Sequence, residues 1–235
     1  MIAILKREFN SYFYSPVGYV FLFVFFAASG LFFLTGPLYT GVADISSVFS
    51  MMFWIMMIII PVLTMRLLAD DRRLKTDQLT LTSPISLTSI VVGKFLSAVV
   101  IFSIGVLMIL FYAVALSLFT ESMNWVGIWG NVLGMMLLGM LFISVGIFVS
   151  SLTENQMVAA IGSMLMNFLL FSVELIAAIV PFKFLQEALY SISVFSRYSQ
   201  ITSGIFDFRM ILFFVSFIIC FLFLTVRNME RRRWN

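Results

Sequence analysis

Long apolar stretches separated by short polar segments dominate this chain of 235 residues. An α-helix rises about 1.5 Å per residue, so about 20 apolar residues cross a hydrocarbon layer about 30 Å thick. Six windows meet this requirement, at about residues 17–38, 47–65, 90–118, 126–150, 156–180 and 210–226. The pattern predicts an all-α integral membrane protein with six transmembrane helices in one domain that spans residues 1–235.

The N-terminal residues 1–14 have a different pattern. Apolar residues recur there at about three-and-a-half-residue spacing with charged residues between them, which is typical of an amphipathic helix in the membrane interface. The residues assigned to the interface are Lys6, Arg7, Glu8 and Phe9. Ser15 and Pro16 then predict a turn into the first membrane span.

Two further polar segments interrupt the spans. Residues 66–89 form the most charged loop and are predicted to lie in the cytoplasm. Residues 181–209 are rich in aromatic and apolar side chains, and such a segment is predicted to form short helices half-embedded at the outer membrane interface rather than a free loop.

The basic residues predict the orientation, because lysine and arginine are retained on the cytoplasmic side. If both termini are cytoplasmic, eleven of the fourteen basic residues are cytoplasmic, namely Lys6, Arg7, Arg66, Arg72, Arg73, Lys75, Lys94, Arg227, Arg231, Arg232 and Arg233. The outer segments then hold only Lys183, Arg197 and Arg209. The predicted topology is therefore N-in and C-in.

Composition narrows the function classes. Hydrophobic residues make up 62% of the chain and charged residues 11%, whereas soluble domains have about 45–50% apolar and about a quarter charged residues. The net charge of +3 fits topology better than nucleic-acid binding, because the basic residues flank apolar runs. The chain lacks histidine and has one cysteine, Cys220, which excludes an internal disulfide and the usual zinc and nucleophile–histidine sites.

No phosphate-binding glycine-rich loop occurs in the sequence, so the chain is predicted not to hydrolyse ATP itself. If it works against a gradient, the energy comes from another chain or from coupled ions. Ion coupling usually requires carboxylates within the spans, and Glu174 is the single candidate. It lies two turns beyond Asn167 on the same helical face, where the two would line a polar pathway; alternatively, Glu174 is solvated near the outer headgroups.

Two weaker features remain. Gly134, Gly139 and Gly146 in the fourth span would permit close helix approach. In the outer segment, Arg197, Asp207 and Arg209 either contact an extracytoplasmic partner protein or simply mark the membrane interface.

Several motifs resemble the permeases of the type-2 ABC exporter class. They are RLLADDRR at residues 66–73, TDQL at 76–79, TSPIS at 82–86, VGKFL at 92–96 and SSLTENQ at 150–156. The resemblance implies that the loop before the third span contains a coupling helix that docks on a cytosolic ATPase. The docking residues it implies are Arg66, Asp70, Asp71, Arg72, Arg73, Thr76 and Asp77.

Within this class, the chain is most similar to the gliding-motility (Gld) type of permease. The similar segments are KREF at residues 6–9, YF at 12–13, SPVGYV at 15–20, GIFD at 204–207 and MERRRW at 229–234. Two positions depart from the family pattern. Asp70 and Asp71 stand where the family usually has a glutamate pair, and Lys75 stands where it usually has a glycine.

The resemblance implies a permease subunit without a catalytic site, located in the bacterial plasma membrane and surrounded by lipid. A second permease copy, identical or related, and two ATPase subunits that bind ATP and magnesium would complete an exporter, which exports a substrate or performs mechanical work on an outside partner. A membrane scaffold that moves nothing and, less favoured, an ion-coupled secondary carrier are the alternatives. The sequence leaves the cargo open among lipid, polysaccharide, peptide and a mechanical task.

Overall fold

The computed structural model describes residues 2–39, 41, 44–75, 86–118, 124–205 and 207–233, and the regular elements among them are all helices. In chain order they are α1 (Ile2–Tyr14), α2 (Pro16–Phe33, continued by a π-helical turn at Leu34–Leu38), α3 (Ser46–Thr64), α4 (Arg66–Arg73), α5 (Leu87–Ser117), α6 (Trp125–Leu152), α7 (Gln156–Ile179), α8 (Lys183–Ile192), α9 (Val194–Thr202) and α10 (Phe208–Arg233). Six of them are long and apolar enough to cross a membrane, namely α2 with its π-helical turn, α3, α5, α6, α7 and α10. The predicted all-α membrane fold is confirmed.

Helix α6 is the centre of the bundle and contacts α3, α4, α5, α7, α9 and α10. Three of its glycines lie where neighbouring side chains approach the backbone. A methyl group added at Gly134, Gly139 or Gly146 would lie 2.5 Å or less from a side-chain atom of another helix. The prediction that these glycines permit close approach is therefore confirmed at three levels of the bundle.

A proline within the second span removes one helical hydrogen bond, and another helix replaces it. Pro61 has no N–H, so the carbonyl of Met57, four residues earlier, loses its helical donor. The side-chain amide of Asn167 in α7 donates a hydrogen bond to this carbonyl oxygen at 3.4 Å. Because no water is present in a bilayer core to take that role, the buried Asn167 stabilises the interrupted helix.

The outer segment forms two short helices that differ in burial. All side chains of α8 are at least partly exposed, including Phe184, and Phe182 just before the helix is exposed as well. By contrast, α9 packs against α3, α6 and α7, and the fully buried Tyr198 donates a hydrogen bond from its hydroxyl group to the carbonyl of Phe49 at 2.6 Å. Helix α9 is thus buried within the bundle, whereas α8 packs on α7 with no fully buried side chain.

Replacement of Gly146 by alanine should separate α6 from α3, because the new methyl group would lie 2.0 Å from the hydroxyl oxygen of Thr64 and 2.8 Å from its Cβ. Threonine is too short to move aside, so we expect a loss of about 1–3 kcal/mol of stability. Thermal unfolding in lipid nanodiscs measures the loss. The control is Gly30→Ala, whose methyl group would meet only the mobile hydroxyl end of Tyr112, at 3.2 Å; equal melting temperatures for the two variants would contradict the prediction.

Candidate functional site

The candidate site lies at the end of the bundle that carries α1, α4, the turn between α6 and α7 and the end of α10. We call it the basic end. The polar contacts there join segments that are far apart in the sequence, because α1 packs on α2 and α5, while α4 packs on α6 and α7. Positive-inside orientation predicts that this end faces the cytoplasm.

Lys94 is the buried charge at the centre of the basic end. Its side chain is 1% exposed, and its ammonium nitrogen lies 2.7 Å from Asp71 in α4 and 3.1 Å from Glu8 in α1. Helix α5 is 31 residues long, or about 46 Å, so its first turns extend beyond a hydrocarbon core of about 30 Å. One lysine thus links α1, α4 and α5 at the level of the interface.

Both carboxylates face into the protein. The side chain of Glu8 is 12% exposed and that of Asp71 is 22% exposed. Burial alone would raise the pKa of Glu8, but the attraction of Lys94 and the hydrogen bond from Arg7 outweigh it, and the pKa lies below its ordinary value. Glu8 is therefore ionised at neutral pH, as the pairing with Lys94 requires.

A second hydrogen bond holds α1 in the same place. The hydroxyl group of Tyr12 donates to the carbonyl oxygen of Leu63, near the end of α3, at 3.1 Å. The ring is buried, which raises the pKa of the Tyr12 hydroxyl and keeps it protonated as a donor. Helix α1 is therefore attached to α3 as well as to α5.

Ser150 of α6 fixes the first turn of α4. Its hydroxyl oxygen accepts hydrogen bonds from the backbone N–H groups of Leu68 and Ala69, at 3.2 and 3.0 Å, and the hydroxyl donates to the carbonyl of Met65 at 3.0 Å. The first N–H groups of a helix have no partner within the helix. Because Leu68, Ala69 and Ser150 are buried, Ser150 provides the hydrogen-bond acceptor that water would provide at an exposed helix start.

Asp70 is held from three directions. It pairs with Arg66 at 2.8 Å and Arg73 at 3.6 Å, and it accepts a hydrogen bond from the side-chain amide of Gln156 at the start of α7. Its side chain is 15% exposed. Arg72 also contacts the α6–α7 turn, where it donates to the carbonyl of Ser151 at 2.9 Å and lies 3.8 Å from Glu154.

The last turn of α4 is the part that points away from the protein. The side chain of Arg73 is 62% exposed, Leu74 is 64% exposed, and Lys75 is also exposed. Leu67 and Leu68, on the same helix, are by contrast buried within the chain. Only Leu74 among these three leucines is available to another protein.

A cleft of about 330 Å³ opens between α1 and α4. Its lining includes two serines, Ser11 near the end of α1 and Ser15 between α1 and α2. The basic Arg7, Arg66 and Lys94 also line it. The cleft separates the exposed ends of the two helices while Lys94 joins their bases. The basic end therefore presents two projecting elements on one buried anchor.

A protein family model described as ABC-2 family transporter protein matches residues 2–229. The chain belongs to the ABC-2 transporter family. Members are typically non-catalytic membrane subunits, and the family implies partnership with an ABC ATPase subunit. A comparison with curated proteins finds no significant match to the chain.

The ABC-2 coupling residues suggested by the sequence fall into three groups in the structure. Asp70, Asp71 and Arg72 contact other helices, and Arg66 pairs with Asp70 within α4, whereas Arg73 is largely exposed. Thr76 and Asp77 lie outside the described residues. The docking role of all seven residues stays a prediction, but the structure separates those that hold α4 from those that face outward.

Sequence reasoning missed several residues that build this site. The sequence identifies Ser150 and Gln156 only as parts of family-like motifs and Lys94 only as a motif residue and a cytoplasmic basic residue, and it does not single out Asn228. The Asn228 amide donates to both the carbonyl and the hydroxyl oxygen of Ser151, at 2.8 and 2.9 Å, and so attaches the end of α10 to the α6–α7 turn. Their signal was weak because polar residues next to a membrane span are usually explained by the headgroup region alone.

The two suggested pathway residues have partners within the chain. Asn167 contacts the Met57 carbonyl, and the half-buried Glu174 accepts a hydrogen bond from Ser193 at the junction of α8 and α9. They belong to the same helix but contact different neighbours, so the structure does not bring them into one site. A role in a pathway stays a prediction.

The three outer residues also contribute to the local structure. Arg197 donates to the carbonyl of Ser191 and lies over the ring of Phe213, which connects α8, α9 and α10. The side chain of Asp207 accepts a hydrogen bond from the backbone N–H of Arg209 at the start of α10. Contact with an outer partner stays a prediction for all three.

Replacement of Lys94 by methionine should loosen the basic end, because Glu8 and Asp71 would lose the ammonium group that lies within 3.1 Å of both carboxylates. We expect a loss of about 3 kcal/mol, at the low end for a broken buried ion pair, since both carboxylates retain some contact with solvent. Thermal unfolding and the rate of tryptic cleavage at Arg7 in nanodiscs measure the effect. The triple variant Lys94→Met, Glu8→Gln, Asp71→Asn should recover most of the loss because the charges are removed together; a single variant as stable as the wild type would contradict the prediction.

Lys75 ends α4 with a backbone φ of 56°, a left-handed conformation that suits glycine, the residue usual in the family. Its N–H donates to the Arg72 carbonyl at 3.0 Å. Lys75→Gly should therefore stabilise the protein by up to about 1 kcal/mol. Lys75→Ala removes the same charge without relieving the backbone, so it is the control in thermal unfolding, and a glycine variant no more stable than the alanine variant would count against this explanation.

Proposed function

We propose that the chain is the transmembrane permease subunit of an ATP-driven exporter of the Gld type in the bacterial plasma membrane. The observation that carries the proposal is the construction of α4: a short helix at the basic end, bonded to α5, α6 and α7 and connected to α1 through Lys94, with its last turn exposed. Such an element is suited to receive a force from a soluble partner and pass it to several spans.

The transmission of force depends on how α4 is attached. Its first turn is bonded to α6 through Ser150, and Asp71 pairs with Lys94 in α5, which also holds Glu8 of α1. A displacement of α4 therefore moves α1 and α5 with it. Packed helices shift between discrete arrangements rather than deforming continuously, so closure of a bound ATPase dimer would rock these spans together and open a path outward.

The complete exporter would hold two permease copies, identical or related, and two ATPase subunits that bind ATP and magnesium. In this proposal the present chain supplies the membrane path and the docking elements, and the hydrolysis takes place in the partner. Asn167 and Glu174 are the candidates for the path, and the outer face around Arg197, Asp207 and Arg209 is the candidate contact for an extracytoplasmic partner. The cargo stays open.

The test is purification of the tagged chain from its native membranes in mild detergent. We expect an ABC ATPase subunit in equal amount, two copies of each by mass measurement, and ATP hydrolysis in lipid nanodiscs that the permease alone lacks. Replacing the phosphate-loop lysine of that ATPase should abolish the hydrolysis while leaving the complex intact. A chain that purifies without a stoichiometric ATPase would instead favour the scaffold function.

A further inference from the structure

We infer that the ATPase subunit receives α4 in an acidic groove with an apolar pocket for Leu74. In this contact the permease contributes the positive charges and the ATPase the negative ones. This inference rests on the proposed function and specifies the partner surface. The sequence alone suggests a different contact, because two acids, Asp70 and Asp71, stand at the centre of the motif RLLADDRR and would call for a basic partner surface.

The first step is the position of the acids. Asp71 and Glu8 face Lys94, and Asp70 is enclosed by Arg66, Arg73 and Gln156. A carboxylate already paired within the chain would have to lose that pair before binding a cation of the partner. The negative charges of α4 thus hold it in place and are not offered to another protein.

The second step is what the tip of α4 exposes. Arg73, Leu74 and Lys75 follow one another, and all three side chains are exposed. The left-handed backbone of Lys75 ends the helix there, with the Lys75 and Leu74 N–H groups bonded back to the carbonyls of Arg72 and Asp70. The tip therefore presents an apolar side chain between two cations in a defined turn.

The third step concerns the reach of this tip. The segment Ser46–Arg73 contains 28 residues, about 42 Å of helix, whereas the hydrocarbon core is about 30 Å thick. The last turn of α4 therefore extends into the aqueous side, where a soluble ATPase binds. Complementary charge and a pocket for a central apolar residue are the features that give such contacts their specificity and energy.

The experiment uses the ABC ATPase subunit that purifies with the wild-type chain, added back to permease in nanodiscs of neutral phosphatidylcholine. The test variant is Arg73→Gln with Lys75→Glu. Its matched control is Arg227→Gln with Arg231→Glu, because Arg227 is 64% exposed and pairs with Glu230 three residues away, much as Arg73 pairs with Asp70. We expect ATPase affinity to fall by at least about tenfold in the test variant and by less than about twofold in the control.

A second pair tests the apolar pocket. Leu74→Asn should weaken ATPase binding by about tenfold. The control Leu152→Asn changes a leucine that is 51% exposed at the end of α6, and it should leave binding within about twofold of the wild type. A photo-crosslinking amino acid at position 74 should label an ATPase segment that contains aspartate or glutamate. Replacing the labelled acid by lysine should restore binding of the Lys75→Glu variant.

The outcomes separate the two proposals. If the wild-type chain binds no ATPase, the proposed function fails. If it binds one but the α4 variants bind equally well, or their controls lose as much affinity, the acidic groove is excluded while the proposed function stands. A loss that appears only when phosphatidylglycerol is added to the nanodiscs would assign the basic tip to anionic lipid and would also overturn the inference.

Discussion

The pairing of a buried lysine with two carboxylates is the constraint on which the basic end depends. Removing an ammonium group from water costs several kcal/mol, and this cost is recovered only when oppositely charged groups surround it in good geometry. Lys94 finds those groups on two other segments, Glu8 in α1 and Asp71 in α4. If either helix left its position, the buried Lys94 would lose one of its two carboxylate partners, so the pairing favours movement of α1, α4 and α5 together.

This constraint also determines what the ABC-2 permease can show to a partner. Each acid used to neutralise Lys94 or to hold Arg66 is one fewer acid on the surface, while Arg73 and Lys75 keep their contact with water. The basic character of the exposed end of α4, which we propose as the docking surface, is therefore a consequence of how the helix is attached. A motif that mixes three arginines with two aspartates in sequence becomes basic on its outer face once the chain folds.

The sequence predicts those features that depend on neighbouring residues and fails for those that depend on distant ones. Six apolar windows, the amphipathic N-terminal helix and the break at Ser15 and Pro16 follow from local periodicity, and the helices confirm them. The inward position of Asp71 depends on Lys94, 23 positions away, and the partner of the Met57 carbonyl lies in α7. Lys75 lies between these two cases. The sequence shows that a lysine replaces the glycine usual in the family, but only the backbone φ of 56° shows that this lysine adopts a conformation unfavourable for a side chain.

The two ends of the bundle are built differently, and this asymmetry bears on how it would move. The ion pairs between described residues all lie at the basic end. The outer end is held by the Tyr198 hydrogen bond, by the Glu174–Ser193 contact and by aromatic packing around Phe53. The attraction between two charges in a low-dielectric environment weakens steeply as they separate, whereas apolar surfaces can slide past each other with small changes in energy. A force applied at α4 would therefore move the basic end as a unit and be accommodated at the outer end, where a path to the exterior has to open.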